Sequence, residues 1–259
     1  MSIENRTILI TGAAQGIGAA TASLFYSKGW KLILLDLDFQ KLRNAFAEIS
    51  EDRVLFLEAD VSDVEKLESL KTSINQFCGG QINVLFNNAG VVFVGAFDEV
   101  PLHKQHQIVD VNLKGVLNVT HLCLPFLKAA NESHVVSMAS ASAIYGNPEI
   151  PVYAATKSAI QSLTEGWSIA FEEQGIEFAD IAPIFVSTKM VTDNYGKYRK
   201  MEEKDVRILP EDVAEVVWKS IHSKKIHWYV GRDTKLFAVL SRFLPQRSAR
   251  YLTKKFLGF

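Results

Sequence analysis

Two cysteines among 259 residues, Cys78 and Cys123, exclude a disulfide framework, and their placement in separate apolar segments leaves no metal-ligand spacing. They read as small core residues in a reducing compartment, and no metal is expected. A surplus of charge is equally missing: 28 Lys and Arg stand against 29 Asp and Glu, a formal net charge of -1. Nucleic acid as the main partner is excluded on that ground, because neutralising phosphates takes a basic excess. No apolar run approaches the roughly 18 residues that would span a bilayer. Met1 leads through Glu4-Asn5-Arg6 straight into Thr7-Ile8-Leu9-Ile10, which leaves no room for a secretion signal, so a cytoplasmic location is expected. No Pro/Gly/Ser-rich linker, repeat or low-complexity stretch divides the chain, and residues 1–259 are expected to form one domain.

What the chain does hold is an even alternation. Hydrophobic residues make up 48%, enough for a sizeable core. Short aliphatic or β-branched runs at 7–10, 31–35, 53–57, 82–86, 134–138, 176–181 and 226–230 alternate with helical periodicity at 17–29, 39–50, 64–78, 101–130, 152–174 and 210–223. Strands apolar on both faces and separated by helices predict a doubly wound α/β fold, a parallel sheet covered by helices on each side. The charged, irregular segment 189–208 interrupts the alternation after the sixth strand, where a mobile substrate loop is expected.

The first strand runs into Thr11-Gly12-Ala13-Ala14-Gln15-Gly16-Ile17-Gly18 and then a good helix start. Glycines at a strand-to-helix turn let backbone amides approach a pyrophosphate at the positive helix end. Eighteen residues beyond Gly18 the second strand ends in Asp36, whose carboxylate can accept both hydroxyls of an adenosine ribose while repelling a 2′-phosphate. The plain alternative is a packing turn, with Asp36 capping the next helix. Gln15 supplies no positive charge and Leu37 stands where an arginine would hold a phosphate, so NAD is favoured over NADP.

Tyr153 and Lys157 are four apart at the start of the stretch 152–174 and project on one face, where an ammonium beside a phenol would make a general acid/base. Ser140 lies past the end of the fifth strand, thirteen residues before Tyr153, and Asn112 lies in the helical stretch after the fourth. Ends of adjacent parallel strands converge on one crevice, so these residues are expected to meet there. Each has a plainer alternative: Ser140 capping the strand end, Asn112 bonding helix backbone.

Together with Asp60-Val61 and Asn87-Asn88-Ala89-Gly90, these motifs resemble, in order and spacing, the compact form of the short-chain dehydrogenase/reductase family over about residues 5–190, with a weaker likeness to 230. The resemblance implies a seven-stranded parallel sheet in the order 3-2-1-4-5-6-7. It implies that Tyr153 moves the proton of an alcohol or carbonyl, that Ser140 hydrogen-bonds the same oxygen, and that Lys157 holds the nicotinamide ribose and lowers the Tyr153 pKa. Asn112 would anchor a water in a proton relay, and Asp60 and Val61 would bracket the adenine. Asn88, Ala89 and Gly90 would support the ribose side, while Asn87 is structural. After the sixth strand Pro183, Val186 and Thr188 match, with Thr188 toward the carboxamide. Ile184 replaces the usual glycine and either faces the cavity, making it more apolar, or marks a different turn. The family also implies a homodimer or homotetramer through the helices at 101–130 and 152–174.

No residue states the substrate. Candidate walls are Val91–Phe97 (Val92, Phe93, Val94, Phe97), Ala141–Ile150 (Ile144, Tyr145, Ile150) and 184–208, and their side chains favour an apolar small molecule. Residues 232–259 carry seven basic residues and one acid, so a +6 tail follows a -7 body. Leu236, Phe237, Leu240, Phe243 and Leu244 fall on one helical stripe, and Ala249, Leu252 and Phe256 on a second. Such a tail either packs over the cavity or a subunit interface, or lies on an anionic membrane surface. Both options point to a lipophilic secondary alcohol or ketone of steroid, retinoid or long-chain type. An acyl-thioester carbonyl reductase and a non-catalytic dinucleotide-sensing protein are the alternatives.

Overall fold

The computed structural model describes residues 6–199, 206–231 and 244–259, with Thr234, Lys235 and Ala238. The strands are β1 (Thr7–Thr11), β2 (Lys31–Asp36), β3 (Val54–Glu58), β4 (Val84–Asn87), β5 (Ser133–Met138), β6 (Ile176–Pro183) and β7 (His227–Val230). All pair in parallel, in the order β3-β2-β1-β4-β5-β6-β7. The helices are α1 (Gly16–Ser27), α2 (Phe39–Ala45), α3 (Val64–Ser69), α4 (Lys71–Cys78), α5 (Leu102–Val109), α6 (Gly115–Ala129), α7 (Pro151–Ala170), α8 (Lys189–Thr192), α9 (Pro210–Ser220) and α10 (Gln246–Leu257).

The pleat divides the core into two layers. Ile8, Ile10, Leu32 and Leu34 point to one face and pack with Phe25 of α1 and Val213 and Val217 of α9. Leu9, Ile33 and Leu85 point to the other and pack with Ile74 of α4 and Val119, Leu122 and Cys123 of α6. Every residue of β1 is buried, so there is no polar alternation to read in it. Each such aliphatic side chain stabilises the fold by about 1.5–3 kcal/mol. Cys123 is buried as expected, whereas Cys78, at the end of α4, is only partly so.

Strand positions follow the sequence closely; helix limits depart from it where side chains turn inward. The stretch 39–50 is helical only to Ala45, because Phe46 folds in beside Phe56, with ring centroids 6.3 Å apart. The stretch 64–78 breaks at Leu70, whose N–H tightens onto Leu67 O and separates α3 from α4. The stretch 101–130 is interrupted by a wider turn at Asp110–Lys114, closed by Gly115 N–H on Asp110 O. The stretch 152–174 begins a residue early and ends at Ala170, and that of 210–223 ends at Ser220.

At the sheet's β7 edge, His227 joins three elements. Its Nδ1 lies 2.6 Å from Oδ2 of the fully buried Asp180 on β6, and its Nε2 lies 2.8 Å from Glu165 Oε1 on α7. Gln161 donates to the other Asp180 oxygen at 3.3 Å. These two carboxylates raise the His227 pKa, the Asp180 hydrogen bond contributing most.

The stripe expected through Leu236, Phe237, Leu240 and Phe243 lies outside the described residues, as do 200–205 of the expected substrate loop and the side chains of Ala249 and Phe256. Among the described residues no helix is long and apolar enough to cross a membrane.

Candidate active site

At the carboxyl ends of β1, β4, β5 and β6 the chain encloses a cavity of about 450 Å³. Its first wall is the turn after β1. Gly12 has φ +65°, and a Cβ there would lie 2.9 Å from Ala89 Cα; a Cβ on Gly18 would lie 2.2 Å from Gly12 O. Gly18 therefore serves the turn's own packing and does not line the cavity, whereas Gly12, Gln15, Gly16 and Ile17 do. The turn is pinned to the central sheet by Asn88, whose Nδ2 donates to both Thr11 O and Gly12 O at 3.0 Å, and by Thr11 Oγ1, which accepts the N–H groups of Asn88 and Ala89. Asn87 holds Thr120 Oγ1 at 3.0 Å in the interior and stays away from the cavity, a structural position as expected.

Asp36 stands at the rim rather than at a helix cap. Its Oδ2 accepts the Ala14 N–H at 2.8 Å and its Oδ1 the Asp38 N–H at 3.1 Å. The cap of α2 is Asp38, which accepts the Lys41 N–H. Likewise Asp63 caps α3, and Asp60 instead accepts from Ser62 N and Oγ. Asp60 and Val61 line the cavity beside Asp36, together with Asn88, Ala89 and Gly90.

Ser140, Tyr153 and Lys157 line the opposite end. Ser140 caps the short turn Ala141–Ala143, accepting from Ser142 N at 3.2 Å and Ser142 Oγ at 3.0 Å, and it also hydrogen-bonds the Tyr153 phenol. Capping and facing the tyrosine are compatible, because the cap fixes the serine rotamer. Lys157 is 4% exposed; its Nζ donates to Met138 O at 2.7 Å and lies 5.5 Å from the Tyr153 ring centroid. Burial pushes the Lys157 pKa down to about 8. Burial pushes Tyr153 up to about 12, against a smaller lowering by Ser140. Burial is thus the largest influence on the phenol in this cavity, with Ser140 opposing it.

Asn112 sits on the wide turn Asp110–Lys114 after β4. It is fully buried and absent from the cavity wall. Its Oδ1 accepts the Val91 N–H at 2.8 Å and its Nδ2 donates to Val91 O at 2.9 Å. Both ends of the amide are engaged, so the side chain fixes the backbone after Gly90.

After β6, Pro183, Val186 and Thr188 line the cavity, as does Ile184. Of the candidate walls, Val91, Val92 and Tyr145 contribute, whereas Phe93, Val94, Phe97, Ile144 and Ile150 do not. Phe93 turns out toward the Lys104 ammonium, 4.7 Å from its ring, and Phe97 is 63% exposed. Residues that the sequence did not single out are Lys41, Ser142, Asn147, Phe185, Met190 and Tyr198, all on the cavity. Ser142 and Asn147 fall within the candidate wall 141–150 and Phe185, Met190 and Tyr198 within 184–208, whereas nothing pointed to Lys41.

The residues fit a dinucleotide. Gly12 and Gly18 leave no room for a Cβ where the turn meets the start of α1, a carboxylate marks one end of the cavity, and a phenol, hydroxyl and ammonium mark the other. Comparison with known proteins agrees. A family model described as short chain dehydrogenase matches residues 6–199. An uncharacterized oxidoreductase of Staphylococcus aureus strain USA300 is 27% identical over 223 residues, covering 86% of this chain and 94% of that protein. A 3-ketoacyl-(acyl-carrier-protein) reductase from Brucella melitensis, solved with NADH, superposes with a TM-score of 0.79 at 25% identity, covering 88% of this chain and 98% of that one. A short-chain dehydrogenase/reductase of the glucose/ribitol dehydrogenase type, also from Brucella melitensis, is 28% identical with a TM-score of 0.80, covering 88% and 95%. Fold, site and relatives converge on one assignment: the chain belongs to the short-chain dehydrogenase family and is an oxidoreductase of that family.

Proposed function

We propose that the chain is an NAD-dependent oxidoreductase that moves a hydride between nicotinamide and a lipophilic secondary alcohol or ketone, with Tyr153 as general acid/base. The observation that carries this reading is the convergence of Ser140, Tyr153 and Lys157 at one end of a cavity whose other end holds Asp36. Nicotinamide, when bound, supplies or takes the hydride. The chain's own residues handle position and proton. Tyr153 Oη holds the proton that leaves or joins the substrate oxygen, and Ser140 Oγ, already within reach of that phenol, bonds the same oxygen. Lys157 Nζ stands behind them, where its charge favours the phenolate. Asn112 acts as a positioning residue through Val91. Asp36 favours ribose hydroxyls over a phosphate, hence NAD.

Val92, Ile184, Phe185, Met190 and Tyr198 make the substrate side apolar, which supports a steroid-, retinoid- or long-chain-like ligand. A panel of hydrophobic secondary alcohols assayed with NAD and with NADP tests the reading; turnover with small polar alcohols only, or with NADP only, would refute it. The NADH-bound ketoacyl reductase among the similar structures favours one second reading, reduction of an acyl-thioester carbonyl, and acyl thioesters belong in the same panel.

The reading extends to assembly and place. Exposed Leu117 on α6 and Ile169 on α7 support a homodimer or homotetramer through those helices, and light scattering distinguishes them. Arg247, Arg250, Lys254 and Lys255, exposed on α10, support a cytoplasmic protein that touches an anionic membrane surface through this segment. Co-sedimentation with anionic, and not neutral, vesicles is the expected result.

A further inference from the structure

The sequence puts no cation in the glycine turn, where Gln15 stands, or directly after Asp36, where Leu37 stands. Folding brings one from elsewhere. Asp38 starts α2 by accepting the Lys41 N–H at 3.0 Å, which fixes the rotation of that first turn. Lys41 then reaches back across the rim, and its ammonium donates to Gln15 Oε1. Gln15, Asp36, Leu37, Asp38 and Lys41 all line the same end of the cavity.

We propose that Lys41 is a latent ligand for a phosphate on the adenosine ribose, held on Gln15 while Asp36 keeps that phosphate out. The proposal rests on the reading of the cavity as a dinucleotide site. Two features of the geometry carry it. First, the carboxylate of Asp36 is fixed at the rim by two backbone N–H groups, so its charge cannot swing away from an incoming phosphate. Second, the partner of Lys41 is a neutral amide, and among the described residues no carboxylate pairs with it. Leaving Gln15 for a phosphate oxygen replaces a single charge-assisted bond by one in which both partners are charged, the stronger kind. Discrimination against NADP then lies in the repulsion by Asp36 and not in a missing cation. Removal of that one carboxylate exposes an affinity already built into α2.

The test measures binding rather than turnover. NADH and NADPH are titrated by their fluorescence into the wild-type chain and into the Asp36→Ala, Lys41→Ala, Asp36→Ala/Lys41→Ala and Asp36→Ala/Lys41→Arg variants. Asp36→Ala is expected to improve NADPH affinity relative to NADH by about tenfold or more. Adding Lys41→Ala should remove most of that gain, with the loss falling on NADPH, while adding Lys41→Arg should retain it. The gain should also shrink as salt is raised, as expected of a charge pair at a solvated rim. If Lys41→Ala weakens NADH and NADPH equally in the Asp36→Ala background, Lys41 only buttresses Gln15 or serves a phosphate common to both cofactors, and the proposal falls. If none of the proteins binds either cofactor, the dinucleotide reading itself falls and takes the proposal with it.

Discussion

The two ends of the cavity are built on different principles. At one end Asp36, Asp38 and Lys41 sit on a solvated rim, each oriented by a backbone N–H or a side-chain amide. At the other end Lys157 is buried and Tyr153 half-buried, and burial displaces both, to about 8 and about 12. The rim selects by placing charges in water, where salt weakens them. The interior selects by removing water, so that a single hydrogen bond such as that from Ser140 shifts a proton affinity. Substitutions at the rim should therefore alter which cofactor binds, and substitutions inside should alter whether a proton moves.

The largest test of that contrast is Tyr153→Phe, expected to lower kcat by about 10²- to 10⁴-fold while leaving the NADH Kd nearly unchanged; full turnover in the variant would move the acid/base elsewhere. Asn112→Ala comes next. It leaves Val91 N–H and C=O without their partner, which costs about 1–3 kcal/mol for each group that stays buried and unpaired, so a lower Tm together with a lower kcat is expected from thermal melts and steady-state rates. A variant with reduced kcat and unchanged stability would give the asparagine a chemical role. Asp36→Ala should weaken NAD by about tenfold, an effect of rim charge, read by calorimetry; an unchanged Kd would place Asp36 away from the ribose.

The smallest effect belongs to the far edge of the sheet. Folding raises the proton affinity of His227 through Asp180 and Glu165. Its stabilisation is complete below the ordinary imidazole value of 6.5 and disappears as pH rises through the raised value. Stability of the wild type should accordingly fall across that window, and His227→Gln should flatten the slope of Tm against pH. Equal slopes would remove the histidine from the account.

Legibility of the sequence followed the range of the forces involved. Strands such as β1 and β2 were readable because full burial demands unbroken aliphatic runs, and the sheet order followed once the family resemblance was recognised. The glycine turn, Asp36, Ser140, Tyr153 and Lys157 were readable because each depends on a strand end or on helix spacing. The partners of Asn112 were not readable, because the wide turn at Asp110–Lys114 leaves the apolar period on either side intact while setting which backbone groups that side chain meets. Lys41 left no signal at all: on a helix surface a lysine is ordinary, and only the rotation of α2 set by Asp38 brings it to Gln15. The inward phenol of Tyr198 is likewise a matter of how a long loop returns, which local pattern does not encode.

The Thr11–Asn88 staple has a consequence for the order of events in folding. Its hydrogen bonds span 76–78 residues of chain, and contacts of such separation close late. A nascent chain that ends before β4 already contains every glycine of the turn and can pair Thr11 with Leu35, yet it lacks the Asn88 amide that bonds Thr11 O and Gly12 O. The turn should be completed only when β4 docks beside β1, as one cooperative event, and a truncated chain lacking β4 would carry the motif without the bonds that pin it.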